Sequence, residues 1–177
     1  MGYVDDDKFT QWITPFQMFG TVAAWGVVAG QVSGSLVYKC DATDEAAHLH
    51  IPIAIPSNSG VSAVTGSAVK GAKLKSVEMD FEILIAACDA LSAVFVKNKR
   101  GIDGSVVVVS NPAFTYDTGH DTAAERLDVD QHKMTMTLDT PVFIENDEYW
   151  YVDVTIDKAA TSTFEILGAF VNYTFKA

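Results

Sequence analysis

Basic charge is scarce in this chain. Twelve lysines and arginines stand against 23 aspartates and glutamates, for a net charge of −11. A protein that coats nucleic acid normally carries a basic patch or arm for the phosphates. Here the N-terminus carries Asp5, Asp6 and Asp7 instead, so no direct nucleic-acid partner is expected. The one tight basic cluster, Lys97, Lys99 and Arg100, reads as a solvated hairpin tip. Cysteine is equally sparse: Cys40 and Cys88 are the only two, and no CxxC occurs. That excludes a disulfide framework. Both thiols fall in strand-like stretches and read as small buried hydrophobes, with a single disulfide as the other reading. No basic leader precedes an apolar run, and no cleavable signal is expected. The longest uncharged run, Phe9 to Tyr38, is broken by Pro15, several glycines and Gln31. It suits a strand better than a bilayer helix, so no transmembrane segment is expected. Catalytic motifs are missing as well: there is no GxSxG elbow or similar nucleophile turn, and the expectation is that the chain is not an enzyme.

What is present is hydrophobic alternation. The chain has 177 residues, 49% of them hydrophobic, which is one domain with material for a substantial core. In YWYVDVTID, Trp150, Val152, Val154 and Ile156 alternate with Tyr151, Asp153, Thr155 and Asp157. A period of two marks a strand with one dry and one wet face. LKSVEMDFEILIAA repeats the pattern through Val77, Met79, Phe81, Ile83 and Ile85, as does HLHIPIAIP through Leu49, Ile51, Ile53 and Ile55. Pro52 cannot donate to a ladder, which places that strand at an edge or leaves it unpaired on one side. Eight principal strands result: 35–42, 48–55, 74–87, 91–98, 105–110, 133–138, 149–157 and 163–175. Helical periodicity is absent, apart from the capping-box spacing Thr122 to Glu125, which predicts one short helical turn. Residues 1–33 read as an N-terminal arm with an accessory strand near Thr21 to Val28, and residues 34–177 as the main domain. Two long stretches, Ser57 to Gly71 and Asn111 to Gln131, read as loops.

Eight strands with turn signals between them fit an all-β antiparallel sandwich of the jelly-roll type. That topology pairs the first strand with the last, the second with the seventh, the third with the sixth and the fourth with the fifth. The shortest glycine-bearing turn, KRGIDG, then joins the fourth and fifth as a hairpin. An immunoglobulin-like sandwich needs fewer strands, and no Cys–Trp–Cys spacing supports it. The strand order, the long third strand, the closing strand FEILGAFVNYTF and the aromatic arm together resemble the single jelly-roll proteins of virus capsids and related shells. That resemblance implies a self-assembling structural subunit, a homo-oligomer built as trimers or pentamers within a lattice, located in a virion or extracellularly. The chain departs from many such proteins in having no basic arm for a genome.

Candidate site residues follow from residue type. The strand Phe164 to Phe170 is apolar at successive positions, which nominates Phe164, Ile166 and Phe170 as interface residues, joined by Trp12 and Phe16 of the arm. Val94 and Val96 are apolar on a nominally outer face in the same way. Asp117, Asp121, Asp128 and Asp130 crowd one irregular loop, and such carboxylates with backbone carbonyls have the donor chemistry for calcium; a solvated acidic loop is the other reading. His48 and His50 share one strand face, with His120 or His132 available to complete a metal set, against the plainer reading of surface histidines. Asp80 and Glu82 lie on one outward face, where no opposing carboxyl is placed for glycoside hydrolysis. Tyr149 and Tyr151, opposite the core-facing Trp150, are the rings available for a carbohydrate platform. A lectin-like or cell-surface module binding carbohydrate or calcium, or an extracellular filament or tube subunit, is therefore the alternative function.

Overall fold

The computed structural model describes residues 7–20, 25–30, 36–40, 46–56 and 71–175. Twelve strands form two antiparallel sheets. They are β1 (Asp7–Ile13), β2 (Phe19–Gly20), β3 (Trp25–Ala29), β4 (Leu36–Cys40), β5 (Ala46–Ile53), β6 (Lys73–Leu84), β7 (Ala90–Arg100), β8 (Val106–Ser110), β9 (Phe114–Tyr116), β10 (Gln131–Phe143), β11 (Glu148–Asp157) and β12 (Thr163–Phe175). One sheet runs β3-β4-β12-β6-β10-β9, with β1 also paired to β12; the other runs β2-β5-β11-β7-β8. A short helix, α1 (Ala123–Leu127), interrupts the second long loop.

All four expected pairings are present: β4 with β12, β5 with β11, β6 with β10, and β7 with β8. The inner cross-pairings of β6 with β12 and β7 with β11 complete the two four-stranded sheets of a jelly roll. The core lies between the sheets. Val77, Met79, Phe81 and Ile83 of β6 face Leu49 and Ile51 of β5 and Val152, Val154 and Ile156 of β11, all fully buried. The capping box at Thr122 forms: its hydroxyl accepts from Glu125 N–H, and the Glu125 carboxylate returns to Thr122 N–H.

Several expectations need correction. Phe164 and Ile166 are fully buried, with Phe164 stacked on Phe81 at 5.3 Å and edge-on to Trp25 at 6.2 Å. The cause is a register shift between Ile166 and Gly168. A bulge adds one residue to one strand, so the side chains before and after it fall on the same face. Phe164, Ile166, Ala169 and Val171 therefore all point inward, and neither Phe164 nor Ile166 is an interface residue of the folded chain. Phe170 does lie on the outer face, but half-buried beneath the stacked ring of Trp12 (6.4 Å). Val96 is buried as well, while Val94 is exposed. Ile85 is not part of the dry face. The strand ends at Leu84, and Ile85 is exposed at φ 73 while Ala86 N–H donates to Leu84 O. This is a γ-turn around a β-branched residue, a strained conformation. The strand expected at 133–138 is longer: β10 runs through Pro141 to Phe143, across a register shift between Thr137 and Val142.

Residues 7–20 of the N-terminal arm carry two strands that the sequence did not separate. Strand β1 pairs along β12 from Asp7↔Phe175 to Ile13↔Ala169, a 3-10 turn follows at Pro15–Gln17, and β2 then pairs with β5 on the other sheet. Residues 7–20 thus form a strap across one edge of the sandwich, anchored by the buried Ile13 and Met18. The strap leaves Trp12 at 57%, Phe16 at 64% and Phe19 at 64% exposure. Both cysteines are buried, and neither is in a disulfide. Burial pushes the Cys88 thiol up, only partly offset by its contact with Ser162. The expected loop at 57–70 lies outside the described residues.

Candidate functional site

The strands that build the five-stranded sheet also build a groove at its end. β5 and β11 run antiparallel, with Pro52 opposite Tyr151 and His50 opposite Asp153. β2 is only two residues long and pairs Phe19 with His50 and Gly20 with Leu49. Beyond that point no strand among the described residues pairs with β5 on its β2 side, which is where Pro52, lacking an N–H, is tolerated. A cavity of about 630 Å³ opens there, lined by Phe19, His50, Pro52, Ala54, Asn98, Glu148, Tyr149 and Tyr151, with Ile53, Ile55, Ile144 and Trp150 at its floor. Its size falls within the range of small-ligand sites, about 300–1,000 Å³.

The lining is aromatic with a few fixed polar groups. The His50 imidazole lies 4.6 Å from the Tyr151 ring at 43°, and Tyr149 and Phe19 are exposed. Glu148 is held from three sides. Lys97 Nζ approaches its Oε1 at 2.6 Å, while Trp150 Nε1–H and Glu145 N–H donate to its Oε2 at 3.2 Å each. Burial pushes the Glu148 carboxyl up, but these donors outweigh burial and hold it below the usual glutamate range. Asn98 is 3% exposed, and its Oδ1 accepts no hydrogen bond from the described residues. A buried amide oxygen without a donor is costly, about 1–3 kcal/mol, unless a ligand or water supplies one. On the same outer face, His48 Nδ1 stands 3.0 Å and His50 Nε2 3.7 Å from Asp153 Oδ1.

The acidic loop is organised differently from its calcium expectation. Asp117, Asp121, Asp128 and Asp130 do not converge, and among the described residues no group of three or more such side chains is placed to hold a metal. Each has a local task. Asp117 accepts from Thr135 N–H, Gly119 N–H and the His120 ring. Burial raises the Asp117 carboxyl, and those bonds together bring it below its ordinary value. Asp121 is raised by its hydrogen bond with Glu125. Asp128 offers its backbone carbonyl to His132, and Asp130 accepts from Gln131 N–H. The four histidines also fail to form one set: His48 and His50 sit on β5, whereas His132 sits on β10 of the other sheet. Asp80 and Glu78 share an outer face with Lys133, and burial followed by Glu78 raises the Asp80 carboxyl.

Tyr149 and Tyr151 were legible from alternation alone. Phe19, Asn98 and Glu148 were not, although Asn98 stands out as an amide ending the apolar run of LSAVFVKN.

No protein-family model matches the sequence, and no curated protein matches it. Solved structures with a similar trace include TmCBM61 in complex with beta-1,4-galactotriose, at TM-score 0.43 and 10% identity, covering 89% of this chain and 86% of that one. The family 11 carbohydrate-binding module from Clostridium thermocellum, in complex with a beta-1,3-1,4-mixed-linked tetrasaccharide, matches at TM-score 0.41 and 9% identity over 92% and 94%. The Agl-KA catalytic domain matches at TM-score 0.39 and 10% identity, covering 94% of this chain but only 27% of that chain. At these scores and identities the likenesses carry no argument about ligand or activity.

Proposed function

We propose that this chain is a non-catalytic binding domain whose groove at the end of the five-stranded sheet takes a glycan. The observation that carries the reading is the groove edged by the rings of Tyr149, Tyr151, His50 and Phe19, of which Tyr149 and Phe19 are exposed. A sugar ring has C–H faces that lie against aromatic rings and a rim of hydroxyls that hydrogen-bond to polar groups at the edge of such a groove. A binding role is favoured over hydrolysis because the described lining holds a single carboxylate, Glu148, and Lys97 and Trp150 already engage it. Glycosidases generally set two carboxyl groups across the scissile bond, about 5–9.5 Å apart. Glycan-array binding followed by calorimetry tests the reading. Tyr149→Ala and Tyr151→Ala should each weaken a glycan hit by about 1–3 kcal/mol, the scale of losing one anchor ring. An array without hits, or a hit untouched by both changes, rejects it.

A self-assembling structural subunit of a shell or virion is the second reading, favoured by the exposed Trp12, Phe16 and Phe19 on the strap. Large aromatics held out on one rigid segment are surface suited to burial against a second copy.

A further inference from the structure

The long loop places two imidazoles against each other. His120 Nε2 and His132 Nδ1 are 3.2 Å apart, with the ring centroids at 5.4 Å. The outer nitrogen of each ring is committed. His120 Nδ1 stands 2.8 Å from Asp117 Oδ1, and His132 Nε2 stands 2.9 Å from the Asp128 carbonyl oxygen. An ionised carboxylate and a carbonyl only accept, so both outer nitrogens carry the ring N–H. In neutral rings the two inner nitrogens then bring two lone pairs within 3.2 Å of each other, which is repulsive unless a proton or a metal ion is bound there.

The rest of the arrangement suits a metal ion. Two nitrogens about 2.0–2.1 Å from a tetrahedral zinc stand about 3.3 Å apart, close to the spacing found here. Metal-bound histidines typically donate their other N–H to a carboxylate or a backbone carbonyl, which fixes the ring and strengthens the ligand. His120 has the first kind of partner and His132 the second. Ring positions are fixed further: His132 stacks on the buried Phe81 at 4.6 Å and 7°, and the His120 side chain is only 12% exposed. Between Asp117 and His132 the sequence carries Asp117, Asp121, Glu125, Asp128 and Asp130 against Arg126 alone, a field that favours a cation. Arg126 Nη1 is occupied by the His120 and Asp121 carbonyl oxygens, and its guanidinium lies over the Tyr116 ring.

We propose that His120 Nε2 and His132 Nδ1 bind a divalent transition ion of the zinc class, with Asp117 and the Asp128 carbonyl orienting the two ligands. The remaining coordination positions belong to water or to a donor from a bound molecule. The test is calorimetric titration of the chelator-treated full chain with zinc chloride, alongside long-range proton–nitrogen spectra of the histidine rings. One site per chain is expected, with His120 Nε2 and His132 Nδ1 moving on zinc addition. His120→Gln and His132→Gln should each weaken binding at least tenfold. Asp117→Asn should weaken it by about 10- to 100-fold, the usual effect of losing a ligand's orienting partner. His48→Gln and His50→Gln should leave it unchanged. No saturable binding at millimolar zinc overturns the proposal, as does binding that follows His48 and His50. Because the spectra are read on the unmutated protein, ring nitrogens indifferent to zinc overturn it even where a variant fails to fold.

Discussion

Glu148 joins the groove to the core, because a residue that lines the cavity also receives Lys97 and the Trp150 indole on its carboxylate. Its folded carboxyl lies below the ordinary glutamate value, so it favours the folded state while ionised. That contribution is fully present above the unfolded value, about pH 4.3, and is lost as pH falls through the lower folded value. Glu148→Gln should therefore cost about 2 kcal/mol near neutrality by leaving Lys97 without its partner. In a domain of this size that corresponds to roughly 4–8 °C in melting temperature. The deficit should close as the buffer is taken below pH 4, and thermal melts of both proteins across pH 3–7 read it directly. A deficit that stays constant across that range would mean Glu148 acts through packing alone. At this scale the sequence showed the rings and hid the polar groups. Alternation places Tyr149 and Tyr151 opposite Trp150, but Glu148 meets Lys97 only because β11 pairs with β7, and nothing local marks Asn98 as lacking a donor.

Strand β12 shows where a period of two stops being readable. Phe164 to Phe170 looks apolar on both faces only if the strand is taken as regular. The bulge after Ile166 turns Phe164, Ile166, Ala169 and Val171 to one face and leaves Phe170 on the other, and the lone glycine at 168 was the only sign of it in the sequence. Gly168, at that bulge, lies under the strap: a Cβ there would stand 2.6 Å from Trp12 Nε1 and 3.4 Å from Ile13 O. Gly168→Ala should push the Trp12 ring off the sheet, at an overpacking cost of about 1–3 kcal/mol. The expected signs are a shifted Trp12 indole resonance and faster amide exchange over residues 7–13. An unmoved indole signal would show that the methyl group is accommodated without displacing the Trp12 ring. The strap itself escaped the sequence reading because DKFTQWI mixes charged, polar and aromatic residues. It becomes a strand by filling the open edge of β12, and that is a tertiary cause rather than a local one.

For the molecule as a whole, the sequence order and turn chemistry were enough to pair the eight principal strands correctly. The accessory strands β1, β2 and β9 were not resolved, since each is short or takes its shape from a neighbour. Assembly is decided at this scale too. If the strap is an interface, light scattering should give a mass above the monomer that rises with concentration, and Trp12→Glu with Phe16→Glu should return it to the monomer. Both side chains are mostly exposed, so the double variant should keep its circular dichroism and melting temperature near the parent values. A parent protein that is strictly monomeric across concentration and ionic strength would reject assembly while leaving the glycan reading intact. The strap has one more consequence, in time rather than in space. Asp7 pairs with Phe175, so among the first described residues to be synthesised are some whose partners are among the last. Until β12 exists, Phe9, Trp12 and the edge of β1 have nothing to pair with, and pairings this distant in sequence form slowly. Over that interval an aromatic-rich strand stays unmatched, and the net charge of −11 opposes its association with other copies.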